Sequence, residues 1–411
     1  MGTGDAGAQC EFLILGSKRE DMVDFQLSQI QRDVKQAARE FAEAEFPGAA
    51  QESDREERTD PALLRKARDL GFVGIFVPEQ YAGMGMGFLE TALVMEEFWR
   101  VDPGLGSQIM CQTFGSEMIL LYGTDEQKER YLTSVCRDGK IGAVAVTEPD
   151  AGSDVLSIST KAVRQDGGYV INGSKMFISN GDIADFFVTL CLTNPKAEKK
   201  TGRHSVIVID GDRPGIERSK IRGKLGIRAH DTAEITFSNV WVPEENLVGE
   251  EDKGFECFMA FFNRSRTYIA AQGVGVAQGA LDLALKHAKK RKVFGKPLAE
   301  SELVQVKLAE MATLTEAARN LTYKAAWKVD RGEIEPALTS MAKWYAAEVG
   351  VKVVNEALQL HGGYGYIDEY DISRFYRDAK IVEIYEGVKE VEKLVIGRQL
   401  VKGGPGSPVF R

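Results

Sequence analysis

A chain of 411 residues with a formal net charge of −9 exceeds the size at which one hydrophobic core stops growing, so two or three domains are expected. The acidic balance offers no attraction to a polyanion, which sets nucleic-acid binding aside. Five scattered cysteines without a Cys-x-x-Cys, and four histidines outside ligand spacing, exclude a disulfide scaffold and a metal site.

Residues 1–21 read as a loose leader: they lack the basic start of a signal peptide and the arginines of a transit peptide. No apolar run reaches the roughly 18 residues that a membrane span requires. With the cysteine usage, these features predict a cytoplasmic location. From 22 to 140 the texture is helical, with Ile30, Val34, Ala37 and Phe41 at helical spacing. Asp60-Pro61 is a helix start, with Asp60 as its N-cap. A glycine-rich loop, Pro78 to Gly87, precedes a helix over Leu89–Trp99.

Between 141 and 250 short β-rich runs replace helix, at 168–173, 186–191, 204–209 and 233–237. Asp166-Gly167, Asn172-Gly173 and Asp210-Gly211 read as the turns between them, and the spacing predicts a β-sandwich or barrel. From 251 to 411 long periodic segments return, over 270–290, 303–329 and 334–360, as in a helical bundle. The fold class is therefore α+β: a helical N-terminal domain, a central β domain and a C-terminal four-helix bundle. The glycines of Gly273-Val-Gly275-Val-Ala-Gln-Gly279 lie inside a helical segment with no strand before them. They suit close helix packing rather than a dinucleotide loop.

One carboxylate stands out. Glu386 abuts Gly387, which lets the backbone turn and a ligand approach. Alone, Glu383, Glu386 and Glu390 would be a solvated helix face. Five ordered motifs change that reading: Ala145-Val-Thr-Glu-Pro-Asp-Ala-Gly-Ser-Asp154; Lys175-Met-Phe-Ile-Ser-Asn180; Lys224-Leu-Gly-Ile-Arg-Ala-His-Asp-Thr232; Asn263-Arg-Ser-Arg266 followed by Arg291-Lys-Val-Phe-Gly-Lys-Pro297; and Gln359-Leu-His-Gly-Gly-Tyr-Gly-Tyr366, Tyr376-Arg-Asp-Ala-Lys380 and Tyr385-Glu-Gly387. Their order and spacing, from Met22 onward, resemble the acyl-CoA dehydrogenase family.

The resemblance implies an FAD-dependent enzyme that removes the α-proton and β-hydride of an acyl-CoA, giving the 2-enoyl-CoA and passing electrons to electron-transfer flavoprotein. It implies Glu386 as the catalytic base, since Ser265 stands where some members carry theirs. Ala145, Val146, Thr147, Phe177, Ile178 and Ser179 would line the flavin, with Ser179 near N5. Phe177 replaces a usual Trp. Arg291, Phe294, Gln359, Gly362 and Gly363 would meet cofactor across a subunit interface, and Val388 and Glu390 would complete the site. Ser153, Asn263, Arg266 and Gly387 would serve the substrate, with Arg266 on its CoA portion. Such an interface implies a homo-oligomer, as tetramers are usual in the family. Departures fall at Asn263, Glu302 and Val388. Arg377-Asp378 reads as a structural ion pair.

Glutaryl-type members use an Arg in the loop matching 101–106, where this chain has Gly106, and a Ser where it has Met110. A neutral acyl group, straight, branched or cyclic, is expected. The alternatives are an acyl-CoA oxidase or flavin monooxygenase of the same fold, or a non-catalytic flavoprotein. Glu386 argues against the monooxygenases, which tend to lack it.

Overall fold

The computed structural model describes residues 26–403; the expected loose leader lies outside them. Helix α1 (Gln29–Glu56) starts at Ser28, whose side chain and that of Gln31 cap each other's backbone N–H. In α2 (Pro61–Asp69) the Asp60 carboxylate accepts from the Ala62 N–H at 2.8 Å, with Pro61 in the first turn as expected. Helix α3 (Phe88–Val101) is largely buried. The stretch expected as a loop over 101–106 is instead the start of α4 (Pro103–Met110). Asp102 caps it by accepting from the Leu105 N–H at 2.8 Å, and Pro103 presets its first turn. Helix α5 (Ser116–Tyr122) follows.

Eight strands then form one sheet: β1 (Gly142–Ala145), β2 (Lys161–Gln165), β3 (Gly168–Ser179), β4 (Phe186–Leu192), β5 (His204–Asp210), β6 (Ile216–Lys220), β7 (Thr232–Pro243) and β8 (Leu247–Val248). Their order is β6-β7-β3-β2-β4-β5-β8. Strand β1 lies parallel to β4 over Phe186–Thr189, and β2 meets β4 further along, at Leu192. Residues of β3 and β7 share a core with residues of β4 and β5. Phe187 and Phe237, from strands well apart in the sheet order, meet edge to face at 6.0 Å. The sheet therefore folds onto itself as a sandwich does.

Asp166-Gly167, both left-handed, make the β2–β3 turn. Asn172-Gly173 is not a turn but a bulge inside β3. The Asn172 side chain accepts from the Asn239 N–H at 2.8 Å on β7, so pairing continues through it.

Five α-helices follow among the described residues: α6 (Gly254–Lys290), α7 (Glu302–Asp330), α8 (Pro336–His361), α9 (Asp371–Ala379) and α10 (Lys389–Gly403). Helices α6, α7 and α8 share an apolar core with α3. The glycines of α6 make this possible: a Cβ on Gly279 would lie 2.1 Å from the Arg100 carbonyl oxygen, and one on Gly275 2.5 Å from that of Glu96. The two helical regions thus pack backbone to backbone, as the sequence predicts. Arg377 and Asp378 do not pair with each other. Arg377 reaches Asp54 on α1 at 2.6 Å, while the buried Asp378 accepts from the Ile227 N–H at 2.6 Å. Successive helix positions point apart, which is why adjacency in sequence misleads here.

Candidate active site

After α9 a short turn, Lys380–Glu383, leads into an irregular segment before α10 begins at Lys389. The expected helical stripe of Glu383, Glu386 and Glu390 is broken there. Glu383 is buried and Glu390 exposed. Glu386 and Gly387 take left-handed conformations in succession, at φ +56° and +97°. Such a φ on a residue with a Cβ costs roughly 1–2 kcal/mol, so surrounding contacts must hold it.

Those contacts come from beneath. Lys343, fully buried on α8, donates from Nζ to the Gly387 carbonyl at 2.6 Å. Arg266 on α6 donates from Nε to the Glu386 carbonyl at 3.4 Å and pairs through Nη2 with Glu392 at 3.0 Å. Its guanidinium also lies over the Phe262 ring, 5.2 Å from the centroid. A Cβ on Gly387 would sit 2.0 Å from the Glu392 carboxylate, so the glycine makes room for this ion pair.

The Glu386 carboxylate meets α6 from the other side: Ser265 Oγ donates to Oε2 at 2.5 Å. Burial pushes the Glu386 pKa up to about 7, against the Ser265 hydrogen bond and the charges of Arg266 and Lys343. A carboxylate so placed is poised to exchange protons near neutrality. Lys343, also buried, is brought down to about 8.

The remaining candidates form two further groups. At the first, the Thr147 carbonyl accepts from the Met176 N–H at 2.8 Å, joining 145–147 to the 177–179 edge of β3. Ala145, Val146 and Ile178 are buried in the β domain, so only their backbones could serve a ligand. Phe177, left-handed at φ +59°, presents its ring outward, 66% exposed. Ser179 Oγ lies 2.9 Å from His230 Nε2. The next residue, Asn180, donates to the carbonyls of Cys111 at 2.7 Å and Gly142 at 3.1 Å. The Cys111 thiol is pushed up to about 12, first by burial and then by the charges of Glu386 and Glu117.

In the second group Arg291 lies over the Tyr364 ring, 5.7 Å from its centroid, and His287 stacks on His361 at 4.3 Å. These contacts bring the 291–297 loop beside Gln359, Gly362 and Gly363. Phe294 is wholly exposed at φ +51°. Ser153 is exposed in the loop after β1, Asn263 partly exposed on α6, Val388 partly buried and Glu390 exposed.

Other residues join the site without having been singled out in the sequence. Lys343 and Glu392 are charges on the buried faces of α8 and α10, beside Ala342, Ala346 and Ile396. A charge within an apolar stripe is the signal that could have found them. Glu117 is fully buried, accepts from the Tyr268 hydroxyl at 2.7 Å and from the Gly115 N–H at 3.1 Å, and is pushed by burial up to about 7.

Tyr268, Met110, Met95 and Phe76 line a small cavity of about 10 Å³, with no charged side chain on its walls. A larger cleft of about 770 Å³, edged by Arg130, Lys140, Asp185 and Arg213, holds none of the candidates. Among the described residues no cluster could hold a metal ion, and no helix is long and apolar enough to cross a membrane.

This architecture, two helical regions around a folded sheet with a partly buried carboxylate held against Ser265, defines a class that the comparisons name. The chain matches the family profiles described as Acyl-CoA dehydrogenase, N-terminal domain over 28–138, middle domain over 143–240 and C-terminal domain over 252–401. It is 40% identical to an acryloyl-CoA reductase (NADH) of Anaerotignum propionicum, over 95% of this chain and 99% of that one. With a cyclohexane-1-carbonyl-CoA dehydrogenase of Geobacter metallireducens it shares 38% identity over 92% and 99%. The structure of butyryl-CoA dehydrogenase from Megasphaera elsdenii superposes with a TM-score of 0.89 at 36% identity, over 92% and 100%. The chain belongs to the acyl-CoA dehydrogenase family, flavin-dependent oxidoreductases acting on CH–CH groups.

Proposed function

We propose that this protein is an FAD-dependent acyl-CoA dehydrogenase that converts a neutral acyl-CoA to its 2-enoyl-CoA. The observation that carries the reading is Glu386: a carboxylate held in a fixed left-handed turn, with its pKa near 7. Burial makes it a stronger base than a carboxylate in water, whose pKa is about 4.3. The Ser265 hydrogen bond keeps one oxygen fixed, so the other is free to take the α-proton. The Glu386 backbone N–H would donate to the thioester oxygen as the enolate forms, an interaction worth about 3 kcal/mol.

The residues present fit a flavin. Phe177 offers an uncovered aromatic ring beside Thr147 and Ser179, and nothing among the described residues lies within 4 Å of a Cβ built on Gly362 or Gly363. Bound FAD would accept the β-hydrogen as hydride. Thr147, Phe177 and Ser179, with the backbones of Ala145, Val146 and Ile178, would hold its ring. Arg291, Phe294, Gln359, Gly362 and Gly363 would meet the cofactor of a second copy, in a homo-oligomer of at least two chains, as in the tetramers usual in the family; Val388 and Glu390 belong to the same proposal. Electron-transfer flavoprotein would take the electrons, in the cytoplasm.

Ser153 and Asn263, both accessible, are assigned to the CoA portion. Arg266 is not: it is turned inward onto Glu392, so its part is to hold the Glu386 loop. Gly387 likewise serves that ion pair. Gly106 and Met110 support a neutral acyl chain, since neither has a side chain that could pair a terminal carboxylate. So do the relatives named for acryloyl, cyclohexane-1-carbonyl and butyryl groups, the first of which is named for the reverse reaction.

Anaerobic titration of the yellow protein with butyryl-CoA, cyclohexanoyl-CoA and glutaryl-CoA tests the reading through flavin bleaching. Glu386→Gln should bind FAD and acyl-CoA yet fail to bleach. Bleaching at the wild-type rate by that variant would refute the base, and equal activity on glutaryl-CoA would refute the neutral substrate.

A further inference from the structure

His230 sits in the segment between β6 and β7, 3% exposed, with its two ring nitrogens in unequal surroundings. Nε2 lies 2.9 Å from Ser179 Oγ, whereas Nδ1 is buried without a hydrogen-bond partner among the described residues. The segment is pinned on every side. Lys224 Nζ binds the His230 carbonyl, the His230 N–H donates to the Ile227 carbonyl at 3.0 Å, and the Asp231 N–H donates to Gln108 Oε1 at 2.6 Å. The backbone that carries the buried imidazole is therefore held in place on both sides.

This asymmetry fixes the proton. A buried N–H without an acceptor costs more than a buried bare lone pair, so the ring proton belongs on Nε2. Burial and then the neighbouring Lys224 hold the His230 pKa well below its usual value, which keeps the ring neutral with one proton to place. Nε2–H then donates to Ser179 Oγ. The serine hydroxyl hydrogen is left pointing away from the histidine, available to an acceptor at the exposed β3 edge.

We propose that His230 is a positioning residue that makes Ser179 a dedicated donor to the flavin, matched to the lone pair that oxidised N5 presents. The proposal rests on the FAD assignment above and goes beyond it, since the serine alone could donate or accept. A fixed donor favours oxidised flavin, whose N5 accepts, over reduced flavin, whose N5 carries its own hydrogen.

The test uses FAD-loaded protein without substrate. His230→Leu should retain FAD but shift the oxidised-to-reduced equilibrium about tenfold towards the reduced form, raising the midpoint potential by about 30 mV for a two-electron couple. Its visible flavin band should move with it. Ser179→Ala should produce the same shift, and the double variant no more than either. His230→Gln, which restores an N–H donor, should recover at least half the shift. If Ser179→Ala moves the potential and His230→Leu does not, the positioning role is overturned. A potential unmoved by Ser179→Ala removes the serine contact and the inference with it, while protein that binds no FAD refutes the cofactor assignment itself.

Discussion

Replacing Ser265 by Ala isolates what sets the proton affinity of the proposed base. The hydroxyl donates to Glu386 Oε2 at 2.5 Å and favours the ionised form, opposing the burial that drives the pKa up. A hydrogen bond to a charged group contributes roughly 1.5–3 kcal/mol, which at about 1.36 kcal/mol per pKa unit is an upward shift of about one to two units. From a midpoint of about 7, the ionised fraction at neutral pH would fall from about half to roughly 1–10%. Single-turnover bleaching by butyryl-CoA, followed by stopped flow across a pH series, should drop about five- to fiftyfold near pH 7 and recover above about pH 9. The variant removes no large side chain, so folding and FAD content should be unchanged. An acid midpoint that stays put, or moves down, would refute the claim that this bond holds the carboxylate in its charged form.

Three further outcomes follow from the same geometry. Gly387→Ala places a Cβ at φ +97° and 2.0 Å from the Glu392 carboxylate; the φ alone costs about 1–2 kcal/mol, so a lowered unfolding midpoint and slowed bleaching are expected, and wild-type values for both would sink the packing argument. Lys343→Met removes the 2.6 Å bond to the Gly387 carbonyl and a charge that lowers the Glu386 pKa; the acid midpoint of bleaching should rise, and a fall would contradict the sign. Asp378 is raised by burial from 3.8 to about 7, so its contribution to stability is full below pH 3.8 and is lost as pH rises through about 7. Melting curves should therefore show stability falling between about pH 4 and pH 7, less steeply in Asp378→Asn; equal slopes in the two proteins would exclude Asp378 as a source.

The order helix, sheet, helix was legible because it is written in period: 3.6 before 140, short β-rich runs to 250, then 3.6 again. Asp60-Pro61 and Asp166-Gly167 were legible because they act on their own backbones. Asn172-Gly173 and Asp102-Pro103 misled because the same residues can open a turn, a bulge or a helix, and distant pairing with β7 or packing under α3 decides between them. In the site, resemblance singles out Glu386, but the residues that hold it were not legible. Arg266 carries a guanidinium that suits phosphate as well as carboxylate, and only the fold shows that Glu392, 126 positions later, reaches it first. Gly387 was expected to let a ligand approach, yet the neighbour a Cβ there would meet is that same carboxylate.

Two requirements on the proposed base are met by different atoms. Position comes through the backbone: Lys343 and Arg266 hold the carbonyls of Gly387 and Glu386, so the left-handed turn is fixed without touching the carboxylate. Proton affinity comes through the side chain, where burial is opposed by Ser265 and by those same two cations. Left alone, two buried positive charges beneath a carboxylate would hold it ionised and weak as a base. Glu392 offsets one of them, and its own charge raises the Glu386 pKa. The buried pair thus lets the loop be gripped by cations while the base it carries stays near neutrality, which is why the glycine beside it has no room for a side chain.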